Sequence, residues 1–585
     1  MERYASRPVA LRIRREGRWM ELSYQAVADQ VQDLSLGLLE LGVAPGDRVA
    51  ILSENRPEWA IADYACLAAC CTDVPIYPTL PAKQAEYILR DSGAVAVLVS
   101  SDAQLEKLLS VRAHLPALRH VIGLDGLGEG VLRYADVLAK GRAARERYPD
   151  WRTRALRVEP DDLATLIYTS GTTGDPKGVM LTHGNIASNV STCVELFEFR
   201  ENDECLSFLP LSHIFERMFG HYCMFAKGVL INYAGGIESV PADMQERRPS
   251  LMASVPRLYE KIYARVHDQV RASSAPRRRL FAWGKRVGEA WAERVVDRKP
   301  VPPGLALSRL VADRLVFAKL RARTGGRIRF FISGGAPLSP DIARFFFAAG
   351  MPILEGYGLT ETSPVMAVNT FEHLKLGTVG RPIPDVEIRI APDGEIVTRG
   401  PNVMRGYFNK PEATSEALDP EGWFHTGDIG VLDADGFLRI TDRKKDLIVT
   451  AGGKNIAPQP IENLAKTSKF VASAVMLGDR RPFPIMLVVP NADAVRGWAR
   501  HKGLAAGDGD LESLLSLAEV RQKVEREVRK TLRDLAQFEM PKRLLLLPRD
   551  FSVEGGELTP TLKVRRRIVE QRHRTAIEAL YADHP

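Results

Sequence analysis

The chain has 585 residues, 45% of them apolar and 26% charged, with a formal net charge of +7. This length exceeds what one hydrophobic core supports, and the composition excludes a low-complexity or disordered chain, so at least two globular domains are expected. Six cysteines without a C-x-x-C pair exclude a disulfide framework and indicate a reducing compartment. The charged N-terminus has no apolar signal segment, and no apolar run is long enough to cross a bilayer, so a cytoplasmic protein is expected.

The first part of the chain predicts a parallel sheet covered by helices. Apolar, strand-like runs at 48–52 and 94–100 alternate with helix-like segments at 58–71 and 82–91. This alternation is typical of α/β folds, in which helices pack on a mostly parallel sheet.

Three later strands each end in a glycine-rich segment. The predicted strand 163–169 leads into S-G-T-T-G-D-P-K-G, the strand 328–332 into S-G-G, and the strand 352–354 into E-G-Y-G. Open α/β sheets bind ligands at the carboxyl ends of their strands. The three segments therefore predict a shared ligand site.

The last 200 residues change in texture. From about residue 377, short strands and turns indicate a small β-rich subdomain whose last strand is 437–440. The following residues have the pattern of a compact α+β module with two strands and a charged helix. We place a domain boundary at 441–443.

The segment 168–178 has the chemistry of a phosphate-binding loop. Its glycines let the backbone approach phosphate oxygens, its hydroxyls donate hydrogen bonds, and its lysine adds a positive charge. The spacing differs from G-x4-G-K-[ST], so this is not a Walker A loop. The residues predicted to bind phosphate are Thr169, Ser170, Gly171, Thr172, Thr173, Gly174 and Lys177.

This loop resembles the phosphate-binding signature of the adenylate-forming enzymes, which include acyl-CoA synthetases, peptide-synthetase adenylation domains and luciferases. Four more motifs follow in the family's order: G-G-A-P (334–337), Y-G-L-T-E (357–361), G-W-F-H-T-G-D (422–428) and D-R-K-K-D (442–446). The resemblance covers nearly the whole chain. It implies a large N-terminal domain (1–441) of two α/β subdomains plus a small β-rich subdomain, hinged at Asp442 to a small α+β C-terminal domain (442–585).

The resemblance also implies how ATP is bound. Tyr357 offers an aromatic face to the adenine ring, and Asp428 is an acceptor-only carboxylate suited to the ribose hydroxyls. Arg443 and Lys445 would reach the ribose and the phosphates. The ATP-binding residues expected beyond the phosphate loop are Gly335, Ala336, Pro337, Glu355, Gly356, Tyr357, Thr360, Asp428, Arg443 and Lys445.

Adenylation brings a carboxylate to the α-phosphate, and because these two anions repel, cations are the expected catalytic device. Glu361 would supply a hard oxygen to Mg²⁺, together with Ser170. The segment E-L-T-P-T-L-K (557–563) resembles the family's catalytic-lysine motif, and its lysine could contact both anions. The residues expected to be catalytic are Lys563, Glu361 and Thr360.

Two segments bear on the acyl substrate. P-L-S-H-I-F (210–215) resembles the family's acyl-pocket motif, in which His213 and Phe215 would line the pocket. The insertion 266–326 resembles that of long-chain fatty acyl-CoA synthetases.

This insertion is basic. Between Lys261 and Arg329 there are 18 Lys or Arg and 5 Asp or Glu, and aromatic residues are interspersed. Such a segment serves an anionic membrane, a nucleic acid or a phosphorylated substrate, or is a solvated face. Its arginines, with Phe281, Trp283 and Trp291, are typical of a helix that lies on a membrane.

Together the motifs predict an AMP-forming long-chain fatty acid–CoA ligase whose substrates are fatty acid, ATP and CoA, with Mg²⁺. A fatty acyl-AMP ligase that loads a carrier protein and a luciferase-like oxidase remain open. A nucleic-acid-binding protein would leave five phosphate-chemistry motifs unexplained, so no nucleic-acid partner is expected. Peripheral membrane contact through 266–326 and a homodimer are both compatible with the sequence.

Overall fold

A computed structural model describes residues 2–125, 128–169, 175–444, 446–449, 455–504, 510–552, 555–559 and 564–582. The strands, numbered in chain order, are β1 (Leu11–Arg15), β2 (Arg18–Leu22), β3 (Arg48–Leu52), β4 (Thr72–Ile76), β5 (Ala96–Val99), β6 (His120–Gly123), β7 (Val131–Arg133), β8 (Leu163–Thr169), β9 (Lys177–Thr182), β10 (Glu204–Ser207), β11 (Leu230–Tyr233), β12 (Leu251–Ser254), β13 (Phe330–Ser333), β14 (Ile353–Gly358), β15 (Val365–Val368), β16 (Arg381–Pro382), β17 (Glu387–Ile390), β18 (Glu395–Arg399), β19 (Gly406–Tyr407), β20 (Phe424–Leu432), β21 (Leu438–Arg443), β22 (Ile448–Val449), β23 (Asn455–Ile456), β24 (Val471–Leu477), β25 (Ile485–Pro490) and β26 (Arg543–Leu546).

The helices are α1 (Tyr24–Glu40), α2 (Pro57–Ala68), α3 (Ala82–Ser92), α4 (Asp102–Leu109), α5 (Tyr134–Ala144), α6 (Trp151–Ala155), α7 (His183–Leu196), α8 (Met224–Ala226), α9 (Val240–Arg247), α10 (Pro256–Arg271), α11 (Ala275–Val296), α12 (Pro303–Ala312), α13 (Ala318–Ala322), α14 (Pro340–Ala348), α15 (Pro411–Ala417), α16 (Pro458–Ala465), α17 (Ala492–His501), α18 (Leu511–Ser516), α19 (Ala518–Thr531), α20 (Arg566–Arg572) and α21 (Arg574–Tyr581). Two π-helical segments, Glu216–Cys223 and Asp313–Phe317, precede α8 and α13.

Two large sheets confirm the predicted α/β class. The first has the order β19–β9–β8–β4–β3–β5–β6–β7, with β8 and the five strands after it parallel and β9 antiparallel to β8. The second has the order β16–β15–β14–β13–β12–β10–β11–β1–β2, with a parallel centre from β14 to β1. Central strands such as β5 and β13 are buried along their whole length, as expected for parallel strands covered on both faces.

The distribution of the glycine-rich segments between the sheets was not predicted from the sequence. β13 and β14 are neighbours in the second sheet, whereas β8 belongs to the first. Two predicted strands also ended too early, because β14 continues through E-G-Y-G to Gly358 and β21 continues through Asp442 to Arg443. In both, backbone pairing extends beyond the apolar run from which the strand was predicted.

The chain divides into two compact units. The first comprises Met1–Arg389, Val397–Thr426 and Ala434–Leu438, and the second comprises Ile390–Ile396, Gly427–Asp433 and Arg439–Pro585. The second unit contains a sheet of order β24–β25–β26, with β24 and β25 antiparallel. Its charged helix α19 buries Val520, Val524 and Val528, which the spacing of four residues places on one face. The boundary at 441–442 and the hinge at Asp442 stay predictions.

The helices of the basic insertion correct one expectation. Phe281 is buried beside Phe345, with 6.4 Å between ring centres, and Trp291 stacks on Phe347 at 5.8 Å. Trp283 packs against the apolar cluster that contains Phe281 and Phe345. Phe281 is therefore buried in the core and does not form the membrane-facing surface expected from the sequence, while the two tryptophans are partly buried against the same core.

A buried charge cluster joins the first sheet to the π-helical segment that contains Arg217. The Arg217 guanidinium is fully buried and forms ion pairs with Asp63 on α2 and Asp73 on β4. It also donates to the hydroxyls of Thr165 on β8 and Tyr222, both at 2.9 Å. Removing one partner of such a cluster leaves buried charges without compensation.

We therefore expect Arg217→Met to lower the free energy of unfolding by about 3–5 kcal/mol, because Asp63 and Asp73 would lose their counter-ion. Arg200→Met is the matched control, since Arg200 pairs with Glu198 at an exposed site and should contribute less than about 1 kcal/mol. Urea unfolding followed by circular dichroism measures both. Equal midpoints for the two variants would contradict the role of the cluster.

Candidate active site

The described ends of the phosphate-binding segment form a β-hairpin. Thr169 at the end of β8 lies opposite Lys177 at the start of β9. The hydroxyl of Tyr168 donates to the Asp91 carboxylate at 2.6 Å, which holds the hairpin against α3. The loop residues outside the described part of the chain are Ser170, Gly171, Thr172, Thr173 and Gly174.

Thr360 and Glu361, two of the residues expected to be catalytic, lie in a 3₁₀ turn, Thr360–Thr362, after β14. The hydroxyl of Tyr407 donates to Oε1 of Glu361 at 2.9 Å. The ammonium of Lys177 lies 4.8 Å from the centre of the Tyr407 ring, within the range of a cation–π contact. One tyrosine thus contacts both the lysine of the phosphate loop and the carboxylate of the Y-G-L-T-E motif.

Backbone hydrogen bonds keep this arrangement in register. The amide of Met404 donates to the carbonyl of Glu361 at 2.8 Å, and the amide of Phe408 donates to Gly178 at 2.8 Å. Between them β19 pairs with β9. The segment 404–408 therefore connects the phosphate hairpin with the 3₁₀ turn, although the two follow strands of different sheets.

Tyr407 is a site residue that sequence analysis missed. It lies 46 positions from Glu361, and no local pattern of charge or spacing marks it. The pairing of β19 with β9, together with the hydrogen bond from the Met404 amide to the Glu361 carbonyl, brings its hydroxyl to the carboxylate.

The Glu361 carboxylate fits a magnesium site in which phosphate oxygens of the substrate supply further ligands. Among the described residues, no group of three or more His, Cys, Asp or Glu is placed to hold a metal ion. Mg²⁺ is commonly held by one or two carboxylates together with phosphate oxygens and water. Glu361 would supply such a carboxylate. Ser170, the other expected ligand, lies outside the described residues.

The G-G-A-P loop leaves β13 beside the E-G-Y-G segment of β14. The amide of Leu338 donates to Oε2 of Glu355 at 3.4 Å, so this carboxyl group holds the end of the loop against β14. Burial raises the pKa of Glu355 to about 8. The loop residues Gly335 and Ala336 are exposed and Pro337 is partly exposed, while Tyr357 is buried and Gly356 precedes it in β14.

The acyl-pocket motif lies against the same loop. A Cβ atom built on Gly334 would come within 3.4 Å of the Phe215 ring, which places this ring on the loop backbone. Nδ1 of His213 accepts a hydrogen bond from the Phe215 amide at 3.2 Å. This bond uses Nδ1 as the acceptor, so it is compatible with the tautomer that carries its proton on Nε2.

In the second unit, Asp428 on β20 and Arg443 on β21 form an ion pair, with Nε 3.3 Å from Oδ1. The structure thus brings two of the predicted ATP-binding residues together. Asp442 accepts from the amides of Arg443 at 2.6 Å and Gln459 at 3.2 Å, and burial raises its pKa to about 6. Lys445 and Lys563 lie outside the described residues.

Comparison with known proteins identifies the class. A family model described as AMP-binding enzyme matches residues 1–408, and a model described as AMP-binding enzyme C-terminal domain matches residues 445–585. The chain therefore belongs to the AMP-binding enzyme family.

Several named relatives are similar to this chain over nearly its whole length. The chain is 38% identical over 570 residues to the long-chain-fatty-acid–CoA ligase FadD15 of Mycobacterium tuberculosis, covering 97% of this chain and 93% of the relative. It is 34% identical over 600 residues to the peroxisomal long chain acyl-CoA synthetase 7 of Arabidopsis thaliana, covering 97% and 82%. It is 33% identical over 589 residues to human long-chain-fatty-acid–CoA ligase 1, covering 96% and 82%.

Solved structures support the fold. The anthranilate CoA ligase AuaEII in complex with anthranoyl-AMP matches with a TM-score of 0.72 and 18% identity, covering 98% of this chain and 96% of the other. ATP-bound MatB from Rhodopseudomonas palustris matches with a TM-score of 0.70 and 23% identity, covering 97% and 96%.

We expect Glu361→Gln to raise the Mg²⁺ concentration needed for half-maximal ATP binding by about tenfold, because the amide lacks the charge that a hard cation needs. Tyr407→Phe should give a smaller shift in the same direction, since it removes only the hydroxyl that orients the carboxylate. Isothermal titration of ATP at several Mg²⁺ concentrations measures both.

Tyr148→Phe is the matched control for the tyrosine variant, because the Tyr148 hydroxyl donates to Glu40 at 3.1 Å elsewhere in the protein. It should leave the Mg²⁺ dependence unchanged. An unchanged Mg²⁺ dependence in Glu361→Gln would remove Glu361 from the metal site.

Proposed function

We propose that this protein is an AMP-forming long-chain fatty acid–CoA ligase. The fatty acid carboxylate attacks the α-phosphorus of ATP, and pyrophosphate leaves with the electrons of the broken P–O bond. The thiol of CoA then attacks the acyl carbonyl and loses its proton, the thioester forms, and AMP leaves. The observation that carries this proposal is the Lys177–Tyr407–Glu361 arrangement, taken with family membership and the names of the relatives.

The first half-reaction needs positive charge around two anions. Lys177 stands at the base of the phosphate loop, and we assign Lys563 to the attacking carboxylate and the α-phosphate. Mg²⁺, held through Glu361, would neutralise charge on the phosphates when bound. Preorganised charges in a water-poor site supply much of the rate enhancement in such reactions.

The nucleotide base and the acyl chain are assigned to neighbouring surfaces. We assign the G-G-A-P loop and Tyr357 to adenine, and His213 and Phe215 to the acyl pocket. The contact between Phe215 and Gly334 supports this pairing, because it puts the pocket motif next to the adenine loop. Asp428 is assigned to the ribose, with Arg443 as its charged neighbour.

The reaction itself discriminates the alternatives. Pyrophosphate release should be measured with acetate, octanoate, palmitate, cinnamate and amino acids, each with and without CoA. A ligase releases pyrophosphate with palmitate and forms palmitoyl-CoA when CoA is present. Adenylate without thioester would favour the acyl-AMP ligase, light or O₂ uptake would favour an oxidase, and salt-dependent DNA retention without ATP turnover would favour a nucleic-acid-binding protein.

Lys563→Ala should slow acyl-AMP formation by about a hundredfold or more, because one preorganised charge contact is worth roughly 3 kcal/mol in a transition state. Thioester formation from supplied acyl-AMP should persist. Quenched-flow assays of each half-reaction measure the two rates. Arg567→Ala is the control, as a nearby exposed basic residue. An equal fall of both half-reactions would make Lys563 a structural residue.

We also propose that Asp442 is the hinge about which the C-terminal domain rotates between the two half-reactions. Hinge motions concentrate in a few backbone dihedrals between elements. The position of Asp442 supports the proposal because the chain from Arg439 to Pro585 belongs to the second unit.

Asp442→Pro should still form acyl-AMP but stall when CoA is added, since proline fixes φ near about −65° and removes the backbone N–H. Asp442→Ala separates the two effects, because it loses the side-chain hydrogen bonds but keeps the backbone freedom. Separate assays of the half-reactions decide the question. Loss of both half-reactions in a folded proline variant would place the hinge elsewhere.

A cytoplasmic location and peripheral membrane contact through 266–326 complete the proposal. None of the helices in the described part of the chain combines the length and apolar character that a bilayer crossing requires. The excess of basic residues in the insertion supports contact with an anionic surface.

A further inference from the structure

Helix α12 and the π-helical segment after it present large apolar side chains to solvent. Leu307, Leu310, Val311 and Leu315 are 65%, 68%, 43% and 44% exposed. Their spacing of three or four residues puts them on one side of the helix. Folded proteins rarely expose a contiguous group of this kind unless it binds something. We call these four residues the α12 stripe.

The opposite side of the same segment is firmly packed. Val316 and Phe317 are buried, and a Cβ atom on Gly288 of α11 would come within 2.5 Å of the Phe317 ring. Asp313 accepts from Arg309 and Arg321, both at 2.8 Å. Arg321 also donates to the carbonyl of Ala349 at 2.8 Å. The exposure of the stripe therefore belongs to a well-anchored helix.

Exposed basic residues lie on the same segment as the stripe, toward its C-terminal end. Residues 303–323 contain five Lys or Arg and one acidic residue, Asp313, whose charge is matched by its two arginine partners. Arg314, Lys319 and Arg323 are exposed on the same segment. Apolar side chains flanked by exposed cations are the composition of a surface that binds anionic lipid.

We propose that the α12 stripe is the surface through which the protein binds anionic lipid bilayers, a role that rests on the proposed function because long-chain fatty acids partition into membranes. The leucine side chains enter the acyl boundary, while Arg314, Lys319 and Arg323 contact lipid phosphates. A second copy of the chain fits less well, because a two-fold contact through the stripe would bring these like charges together.

The test is sedimentation of the full-length protein with equimolar phosphatidylcholine–phosphatidylglycerol vesicles and with phosphatidylcholine vesicles alone. Leu310→Glu should lower the partition coefficient for the mixed vesicles by at least about tenfold. The leucine would lose its apolar contact with the lipid acyl chains, and the anionic lipids would repel the new carboxylate. Leu156→Glu is the matched control, since Leu156 is 69% exposed outside this segment. It should bind like the parent. High salt should weaken binding of the parent.

Several outcomes overturn the proposal. Vesicle binding by Leu310→Glu equal to that of the parent would do so, as would parent binding that does not depend on phosphatidylglycerol. A change of oligomeric state in Leu310→Glu by sedimentation velocity, with vesicle binding unchanged, would assign the stripe to a second copy.

Activity on detergent-solubilised palmitate separates this proposal from the ligase assignment. Leu310→Glu should form palmitoyl-CoA at the parent rate while losing vesicle binding. A parent protein that binds vesicles through the stripe but forms no acyl-CoA from any fatty acid would contradict the ligase assignment alone.

Discussion

Arg217 has no access to solvent, and its charge is compensated by carboxylates from two different elements, Asp63 on α2 and Asp73 on β4. A buried cation without such partners would be costly, so these ion pairs favour the packing in which α2, β4 and the π-helical segment meet. The acyl-pocket candidates His213 and Phe215 immediately precede this segment. The position of Phe215 beside the G-G-A-P loop therefore depends on electrostatic pairing as well as on apolar packing.

The same kind of constraint operates in the phosphate region. Glu361 places a carboxyl group close to where nucleotide phosphates are expected, and this group accepts a hydrogen bond from the Tyr407 hydroxyl. The Tyr407 ring in turn faces the ammonium of Lys177. Because β19 pairs with β9, a carboxylate after one sheet and a lysine in the other share one neighbour. Two side chains that are expected to act on phosphates thus contact the same tyrosine.

The sequence of the basic insertion gives its charge but not the orientation of its side chains. Its excess of Lys and Arg can be counted in the sequence, but the side chains that meet solvent cannot. Phe281 and Trp291 pack inward against Phe345 and Phe347. The apolar residues on the outer side belong instead to α12, where Leu310 is among the most exposed large side chains of the described residues.

Most of the fold class and most of the candidate site could be predicted from the sequence, because each motif carries its own chemistry in a few consecutive residues. β8 was predicted with its observed ends, 163–169, since an apolar run leads there directly into the glycine-rich loop. The roles of Ser170 and Lys563, which lie outside the described residues, rest on sequence alone. Only the tertiary structure decided that the glycine-rich segments leave two sheets, that Tyr407 holds Glu361, and which side of the insertion faces solvent. Those features depend on strand order and on packing between distant residues, which no local pattern encodes.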